Sequence, residues 1–223
     1  MAGTRSYGDA CAAAHSLDLI GERWALLVVR ELLFGPKRFA DLRTGLPNAG
    51  PNRISQRLRD LEGIGVIRRR RLGPPTAAWV YELTEWGREL EPVIISLGRW
   101  GRRSPWRHTD DHIGVDALMV GLLSDFDPVA AGGLTATYAL HFAEDQFTVR
   151  VADGRTTVTR GDPHRPDATL TTDAATFATL LSGRRTAAEA RDAGELAIAG
   201  DVATVQRLFD ALTRPRPARL PEG

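Results

Sequence analysis

The sequence predicts an α+β protein in two parts, an N-terminal winged helix-turn-helix and then a domain with an antiparallel sheet and C-terminal helices. Helical apolar periodicity fills roughly the first sixty residues, a cationic hairpin pattern follows, and alternating strand patterns dominate the second half. The charge divides in the same way. Residues 1–107 hold 18 basic and 11 acidic side chains, whereas residues 108–223 hold 11 and 17. A basic module joined to an acidic one favours nucleic acid as the partner of the first.

The composition limits the class of protein. Among 223 residues there is one cysteine, which excludes an intrachain disulfide, and no apolar run approaches the ~20 residues of a membrane helix. The start, MAGTRSYGDACAAAHS, lacks the apolar core of a signal peptide, so we expect a cytoplasmic protein without membrane contact. Arginine supplies 28 of the 29 basic residues, so genomic composition accounts for part of the arginine content. The predicted domain limits are 1–106 for the winged helix, 107–115 for a linker, 116–213 for the second domain and 214–223 for a disordered tail.

Two helices are expected before residue 35. The first ends near Ile20, and in GERWALLVVRELLFGP the apolar residues recur at helical spacing from Trp24. Gly35 and Pro36 end this second helix, and a shorter helix begins at Phe39.

The next helix, which begins at Pro51, carries the candidate DNA-reading side chains. Ile54, Leu58 and Leu61 form one apolar stripe, so the polar residues face the other way. The side chains expected to face DNA are Asn52, Arg53, Ser55, Gln56, Arg57 and Arg59. Asn52, Arg53 and Gln56 are the base-reading candidates, because Asn, Gln and Arg pair with adenine and guanine edges. We expect Arg57 and Arg59 on phosphate. The alternative is an ordinary solvated helix face.

A basic hairpin after this helix favours the DNA-binding interpretation. A strand from Val66 runs into four consecutive arginines, Gly73-Pro74-Pro75 turns the chain, and Trp79–Leu83 is the return strand. Adjacent arginines would repel one another unless a polyanion were the partner. Because side chains alternate along a strand, about two of the four reach phosphate. The predicted wing contacts are Arg69, Arg70 and Arg71.

An association helix is expected after the wing. Thr84 caps it, and apolar residues then recur at spacings of four and three, which is typical of a helix-pairing surface. We call these residues the apolar seam: Trp86, Leu90, Val93, Leu97 and Trp100. Pro92 should bend or divide the helix. The seam is the predicted homodimer interface, and the alternative is that it covers the domain's own core.

The region from about residue 9 to 103 resembles the HxlR-type winged-helix transcriptional regulators. The resemblance rests on Cys11 placed before GERW, on LLVVRELLFGPKRFADL, ISQRLRDLE and GVIRRR, and on YELTEWGREL. It implies a homodimer whose first and last helices form the interface. It also implies that Arg38, the helix from Pro51 and the wing face DNA. Two positions depart from the family pattern: Gly50 stands where Ser is usual, which is a weaker helix cap, and Ala12 stands where Pro is usual.

Cys11 has two interpretations. Several regulators of this family use the equivalent cysteine to sense oxidants or electrophiles, so the resemblance implies a possible thiol sensor. The alternative is a small buried residue, the commonest environment of a lone cysteine. The neighbouring sequence gives little reason for a lowered pKa, because Asp9 would raise it and His15 would lower it only when charged.

The second half predicts strands followed by helices. A helix over 116–126 precedes strands at 135–142, 146–152, 156–160 and 168–172, with a hairpin turn at Asp153-Gly154. Helices are then expected near 173–181, 186–193 and 201–212. This half resembles the sterol-carrier-protein-like fold in FTVRVADGRTTV, PDATLTTDAATFATLLSG and AGELAIAGDVATVQRLFDAL. The resemblance implies a cavity for a small hydrophobic effector, and the alternative is a filled core that braces the dimer.

The sequence lacks the motifs of the common catalytic sites. No nucleophile elbow, phosphate-binding loop or dinucleotide fingerprint is present. His108 and His112 flank Asp110 and Asp111 in the predicted linker, which we interpret as chance rather than a metal site. We therefore expect no enzyme, no cofactor and no metal. The predicted function is a homodimeric transcriptional regulator of a pseudo-palindromic double-stranded DNA operator. The alternative is a lipid-carrier-like binding protein whose basic domain serves another partner.

Overall fold

The computed structural model describes residues 6–74, 76–107, 113–213 and 216–219. The chain divides into two compact units, Met1–Ile94 and Ile95–Gly223. The residues from His108 to His112, Pro75 of the wing turn and parts of the predicted tail lie outside the described residues. The domain limits given above stay predictions.

The first unit is helical with one hairpin. Its elements are α1 (Ala12–Ile20), α2 (Ala25–Leu32), α3 (Phe39–Gly45), α4 (Pro51–Gly63), β1 (Ile67–Arg71), β2 (Trp79–Leu83), α5 (Glu85–Arg88) and the start of α6 (Glu91–Arg102), which continues into the second unit. Helix α4 packs against α2, α3 and β1. The predicted winged helix-turn-helix is confirmed.

The apolar spacing in the sequence produces the core of this unit. Ile54, Leu58 and Leu61 of α4 are all buried, as their spacing predicted. Pro51 occupies the start of α4, where a missing N–H removes no helical hydrogen bond. At the base of the wing, the backbone of Lys37 pairs with that of Tyr81, so a third segment of chain supports the hairpin.

Thr84 caps α5 by accepting a hydrogen bond from the Gly87 N–H at 3.0 Å, as predicted. Pro92 is the second residue of α6, and a turn separates α5 from α6. The predicted division of this helix at Pro92 is therefore confirmed, since a proline fits the first turn of a helix but not its middle.

The second unit packs helices against one sheet. Its elements are α7 (Val115–Asp125), β3 (Ala136–Phe142), β4 (Asp145–Ala152), β5 (Arg155–Arg160), β6 (Ala168–Thr172), α8 (Ala174–Ser182), α9 (Ala187–Asp192), β7 (Leu196–Gly200) and α10 (Val202–Asp210). The strand order is β5-β4-β3-β6-β7. Asp153 and Gly154 both have positive φ, which suits the tight turn between β4 and β5.

Two features of this sheet correct the prediction. The sheet is mixed rather than antiparallel, because β3 and β6 pair in parallel with Leu140 opposite Leu170. Strand β7 was not predicted, and it adds to the edge of β6 with Ile198 opposite Leu170. Both corrections concern pairing between segments that are distant in sequence, which the period of a single segment does not specify.

Aromatic side chains fill the core of the second unit. Phe142 and Phe177 meet edge to face with their ring centroids 5.2 Å apart, and Phe147 and Phe209 extend the cluster. Tyr138 is fully buried, and its hydroxyl donates to the carbonyl of Thr204 at 2.8 Å. Within the described residues, each helix is too short or too polar to cross a lipid bilayer.

Candidate nucleic-acid interface

Helix α4 presents a polar side at its N-terminal end. Gly50 precedes it without a side-chain cap, and Asn52 and Arg53 in the first turn are exposed. Arg59, two turns further on, is also exposed. Since the apolar stripe of the same helix is buried, these side chains point away from the core. This is the arrangement that a helix needs to enter the major groove.

Two of the predicted DNA-facing side chains, those of Gln56 and Arg57, make polar contacts within the protein. Gln56 is half-buried, and its Nε2 donates to Asp60 Oδ1 at 2.7 Å while its Oε1 accepts from Arg59 Nη2 at 2.7 Å. Arg57 is ion-paired with Asp60 at 3.0 Å and with Glu22 at 3.4 Å. The amide of Gln56 must therefore exchange these bonds before it reads a base, whereas Asn52 and Arg53 are exposed from the start. Ser55 is half-buried.

Arg38 lies immediately before α3 and is exposed. Its backbone N–H donates to Asp41 Oδ2 at 2.8 Å, which fixes the start of α3 and leaves the guanidinium group outside the helix. The role of Arg38 in DNA binding stays a prediction.

The wing has two different faces. Across the hairpin, Arg69 pairs with Tyr81 and Arg71 with Trp79, so these four side chains share one face. The guanidinium group of Arg69 lies 4.5 Å from the ring centroid of Trp79 and 5.9 Å from that of Tyr81. This stacking holds a cation over aromatic rings at a surface position.

The other face of the wing carries a buried carboxylate, Glu82. Its oxygens accept hydrogen bonds from Arg68 Nε and Arg70 Nε, both at 2.7 Å. Burial alone would raise the pKa of Glu82, but the hydrogen bonds and charges of Arg70 and Arg68 outweigh burial and hold that pKa below its ordinary value. Glu82 was not predicted from the sequence, and Arg68 was predicted only as one of the four wing arginines, not as a DNA contact. The register of the hairpin, in which Arg68 lies opposite Glu82, was the signal that could have found them.

Cys11 is exposed and lies just before α1. The backbone N–H groups of Ala13 and Ala14, at the start of α1, lower the pKa of the thiol, and burial does not offset them. Two expectations are therefore wrong for the single chain: the alternative of a buried residue, and the view that nothing nearby lowers this pKa. The Asp9 carboxylate accepts from the backbone N–H of Cys11 at 2.9 Å.

The apolar seam is exposed along most of its length. Trp86 is 48% exposed, Leu97 48% and Trp100 77%, Val93 is exposed, and Leu90 is half-buried. Helix α1 contains three alanines, two leucines and an isoleucine, yet none of its residues is buried. Among the described residues, these side chains are therefore exposed or half-buried rather than part of a core.

Two clefts occur in the second unit. The larger encloses about 360 Å³, and the residues that line it are Arg99, Arg103, Ser124, Asp125, Phe126, Asp127, Pro128 and Thr213. Burial raises the pKa of Asp125 to about 6, and the charges of Arg102, Arg107 and Arg99 reduce that rise. The smaller cleft encloses about 50 Å³ between α8, α9 and α10. Among the described residues, no group of three His, Cys, Asp or Glu side chains is arranged to hold a metal ion.

Comparison with known proteins follows the same division. Residues 19–109 match the HxlR-like helix-turn-helix family, and residues 115–218 match the alkyl sulfatase C-terminal family. The uncharacterized HTH-type transcriptional regulator sll1512 of Synechocystis sp. is 36% identical over 99 residues, which are 44% of this chain and 72% of that protein. The uncharacterized HTH-type transcriptional regulator YdeP of Bacillus subtilis is 37% identical over 97 residues, which are 43% of this chain and 74% of that protein. The structure of the sec-alkylsulfatase Pisa1 from Pseudomonas sp. is 18% identical with a TM-score of 0.43, and the match covers 49% of this chain and 17% of Pisa1.

The first unit is thus a helix-turn-helix module whose relatives are transcriptional regulators. The chain belongs to the HxlR-like helix-turn-helix family. Its second unit is a sterol-carrier-like domain related to the C-terminal domain of alkyl sulfatases.

Proposed function

We propose that the protein is a transcriptional regulator that binds a pseudo-palindromic DNA operator as a homodimer. The observation that carries the proposal is the two-sided helix α4, whose apolar stripe is buried and whose first turn exposes Asn52 and Arg53. These two side-chain types make paired hydrogen bonds to adenine and guanine in the major groove. The helix-turn-helix regulators among its relatives support the same function.

The proposed dimer rests on apolar surface that is exposed or half-buried among the described residues of the single chain. A helix of nine residues is marginal in water, so α1, which buries no residue, needs a packing partner to be stable. The seam residues of α6 offer the same kind of surface, with Val93, Leu97 and Trp100 at helical spacing. Two copies related by a twofold axis would bury both and would place two α4 helices at half-sites ~34 Å apart, or a multiple of that distance.

In this proposal the phosphate contacts come from exposed arginines around α4. Arg38, Arg59 and Arg71 are exposed, and each supplies a guanidinium group that matches phosphate geometry. Arg57 takes part only if DNA displaces its ion pairs with Asp60 and Glu22.

The experiment that tests the function is selection of genomic DNA fragments by the purified protein over a series of salt concentrations. We expect one fragment to be retained against competitor DNA at physiological salt. Binding of all fragments alike, with a steep salt dependence, would contradict sequence-specific regulation. If no fragment binds, the carrier-like function of the second unit becomes the better hypothesis.

We also propose that Cys11 regulates DNA binding through its thiol. The supporting observations are its exposure and the helix N–H groups that favour its thiolate. A quinone that adds to the thiolate should change operator affinity in the natural chain and leave a Cys11→Ser variant unchanged. An equal response of both proteins would contradict this role.

The hydrophobic effector of the second unit stays a prediction. The cavity between α8, α9 and α10 has about 50 Å³, which is far below the roughly 300–1,000 Å³ of ligand pockets. The larger cleft has the required volume, but charged side chains occupy much of its lining. A thermal-shift screen with fatty acids tests the prediction directly.

A further inference from the structure

Glu82 and two arginines form a charged group on one face of the wing. The Glu82 side chain is 7% exposed, whereas those of Arg68 and Arg70 are 67% and 43% exposed. The carboxylate is therefore largely covered from solvent, while its two cationic partners are themselves exposed.

The contact geometry leaves part of each guanidinium group available. Arg68 donates to Oε1 and Arg70 to Oε2, in both cases through Nε. An arginine that is bound through Nε keeps the N–H donors of its terminal nitrogens, and these match the oxygens of a phosphate group. Both guanidinium groups are thus anchored to the same carboxylate, each through its Nε.

The strand register explains why these two arginines, and not their neighbours, share the carboxylate. Arg68 is the cross-strand partner of Glu82, and Arg70 lies two positions along β1 on the same face. Arg69 projects from the opposite face, where it stacks on Trp79. The four consecutive arginines therefore act as two different pairs.

The carboxylate also reduces two unfavourable contributions to anion binding by a pair of arginines, their charge repulsion and their loss of side-chain rotamer freedom. Its negative charge reduces the repulsion between the guanidinium groups, and the hydrogen bonds fix side chains that would otherwise lose rotamer freedom on binding. The group of three keeps a net positive charge, so it remains attractive to an anion.

We propose that Glu82 is a positioning residue that holds Arg68 and Arg70 as a fork for one phosphate group of the DNA backbone. This inference rests on the proposed DNA-binding function and adds Arg68 and Glu82 to the predicted interface. It predicts that removing a negative charge at Glu82 weakens DNA binding, whereas simple electrostatics predicts that DNA binding becomes tighter.

The test compares Glu82→Gln with Glu62→Gln, which makes the same change of charge at an exposed position of α4. DNA affinity is measured by fluorescence anisotropy over a salt series on the operator fragment, and thermal melting monitors the fold. We expect Glu82→Gln to lose roughly 3- to 10-fold in affinity and about one phosphate contact from the salt slope, while Glu62→Gln binds as well as the natural chain or better. Equal or tighter binding by both variants would overturn the fork.

A second variant, Arg68→Lys, keeps the test valid if Glu82→Gln fails to fold. Arg68 is well exposed, so the substitution leaves the core intact, and lysine keeps the charge but lacks the planar set of donors. We expect a loss of affinity similar to that of Glu82→Gln, and natural affinity would overturn the fork. If the natural chain selects an operator but neither variant has a lower affinity for it, only the proposed fork is wrong. If the natural chain binds no DNA, the proposed function is wrong and the fork has no phosphate partner.

Discussion

Helix α1 of the first unit and helix α7 of the second are both rich in apolar residues, but their environments differ. None of the residues of α1 is buried, whereas nine of the eleven residues of α7 are. Helix α7 therefore packs within its own unit, while the apolar side chains of α1 are exposed or half-buried among the described residues. This difference in burial is the one that the proposed homodimer requires.

The arginines of the two units also differ in their environments. In the second unit, Arg102 pairs with Asp125 and Arg160 with Asp116, and both carboxylates are buried. In the first unit, Arg53, Arg59 and Arg71 are exposed. The first unit also pairs arginine with buried carboxylates, at Glu31 and at Glu82, but it carries these further exposed arginines on α4 and the wing. The first unit is therefore the one with surfaces suited to a polyanion and to a second copy of the chain.

The largest effect is expected from breaking the apolar seam. Val93→Glu places a charge on the seam, and Val202→Glu is its matched control in the second unit, because the two valines are 42% and 44% exposed. We expect Val93→Glu to be a monomer by light scattering and to lose about 10²–10⁴-fold in operator affinity, since only one half-site is then held per particle. Val202→Glu should remain a dimer. Equal behaviour of the two variants would contradict the assignment of the seam.

The buried charges of the second unit predict a pH dependence of its stability. Burial raises the pKa of Asp125 from its ordinary 3.8 to about 6, so the folded state binds more protons than the unfolded state between these values. The free energy of unfolding should therefore fall as the pH rises from about 4 to about 6, by up to roughly 3 kcal/mol.

Denaturant unfolding of the natural chain and of Asp125→Asn over this pH range checks the prediction. The contribution of Asp125 is the difference between the two slopes, because all other groups titrate in both proteins. A natural chain whose slope equals that of Asp125→Asn would show that Asp125 has an ordinary pKa.

A smaller effect on DNA binding is expected from separating base contacts, made by α4, from phosphate contacts, made by the wing. Asn52→Ala should cost about 1–3 kcal/mol on the operator and relax the preference at one base position, because it removes a base contact. Arg71→Ala should weaken all sequences alike and reduce the salt slope by about one contact. Binding to a set of single-base operator variants distinguishes the two. The same specificity profile for both variants would refute this division.

The smallest effect concerns Cys11. Because the N–H groups at the start of α1 lower the pKa of its thiol, alkylation by iodoacetamide should reach half its maximal rate at a lower pH in the folded chain than in urea. The acceleration near neutral pH should be a few-fold. The same midpoint in both states would mean that α1 does not act on the thiol.

The sequence was sufficient to predict elements whose signal is local. The stripe of Ile54, Leu58 and Leu61 has the period of a helix, and the Asp153-Gly154 turn has the composition that its positive φ values require. Each of these patterns is complete within a few residues, so no knowledge of distant segments was needed.

Features that depend on pairing between segments were harder to predict. The parallel contact of β3 with β6 and the existence of β7 follow from sheet assembly, not from the period of a strand. At the candidate site, the base-reading prediction for Gln56 did not include its bond to Asp60, and the wing prediction did not include the pairing of Glu82 with Arg68. Both concern which of several polar partners a side chain adopts, and that choice depends on geometry in three dimensions.

The most direct test of the central claim is a hydroxyl-radical footprint of the operator fragment, combined with the number of chains bound per duplex. We expect two protected segments whose centres lie ~34 Å apart or a multiple of that distance, with two chains on each duplex. A single protected segment with one bound chain would contradict DNA binding by a homodimer. Protection without a defined position would contradict sequence-specific binding.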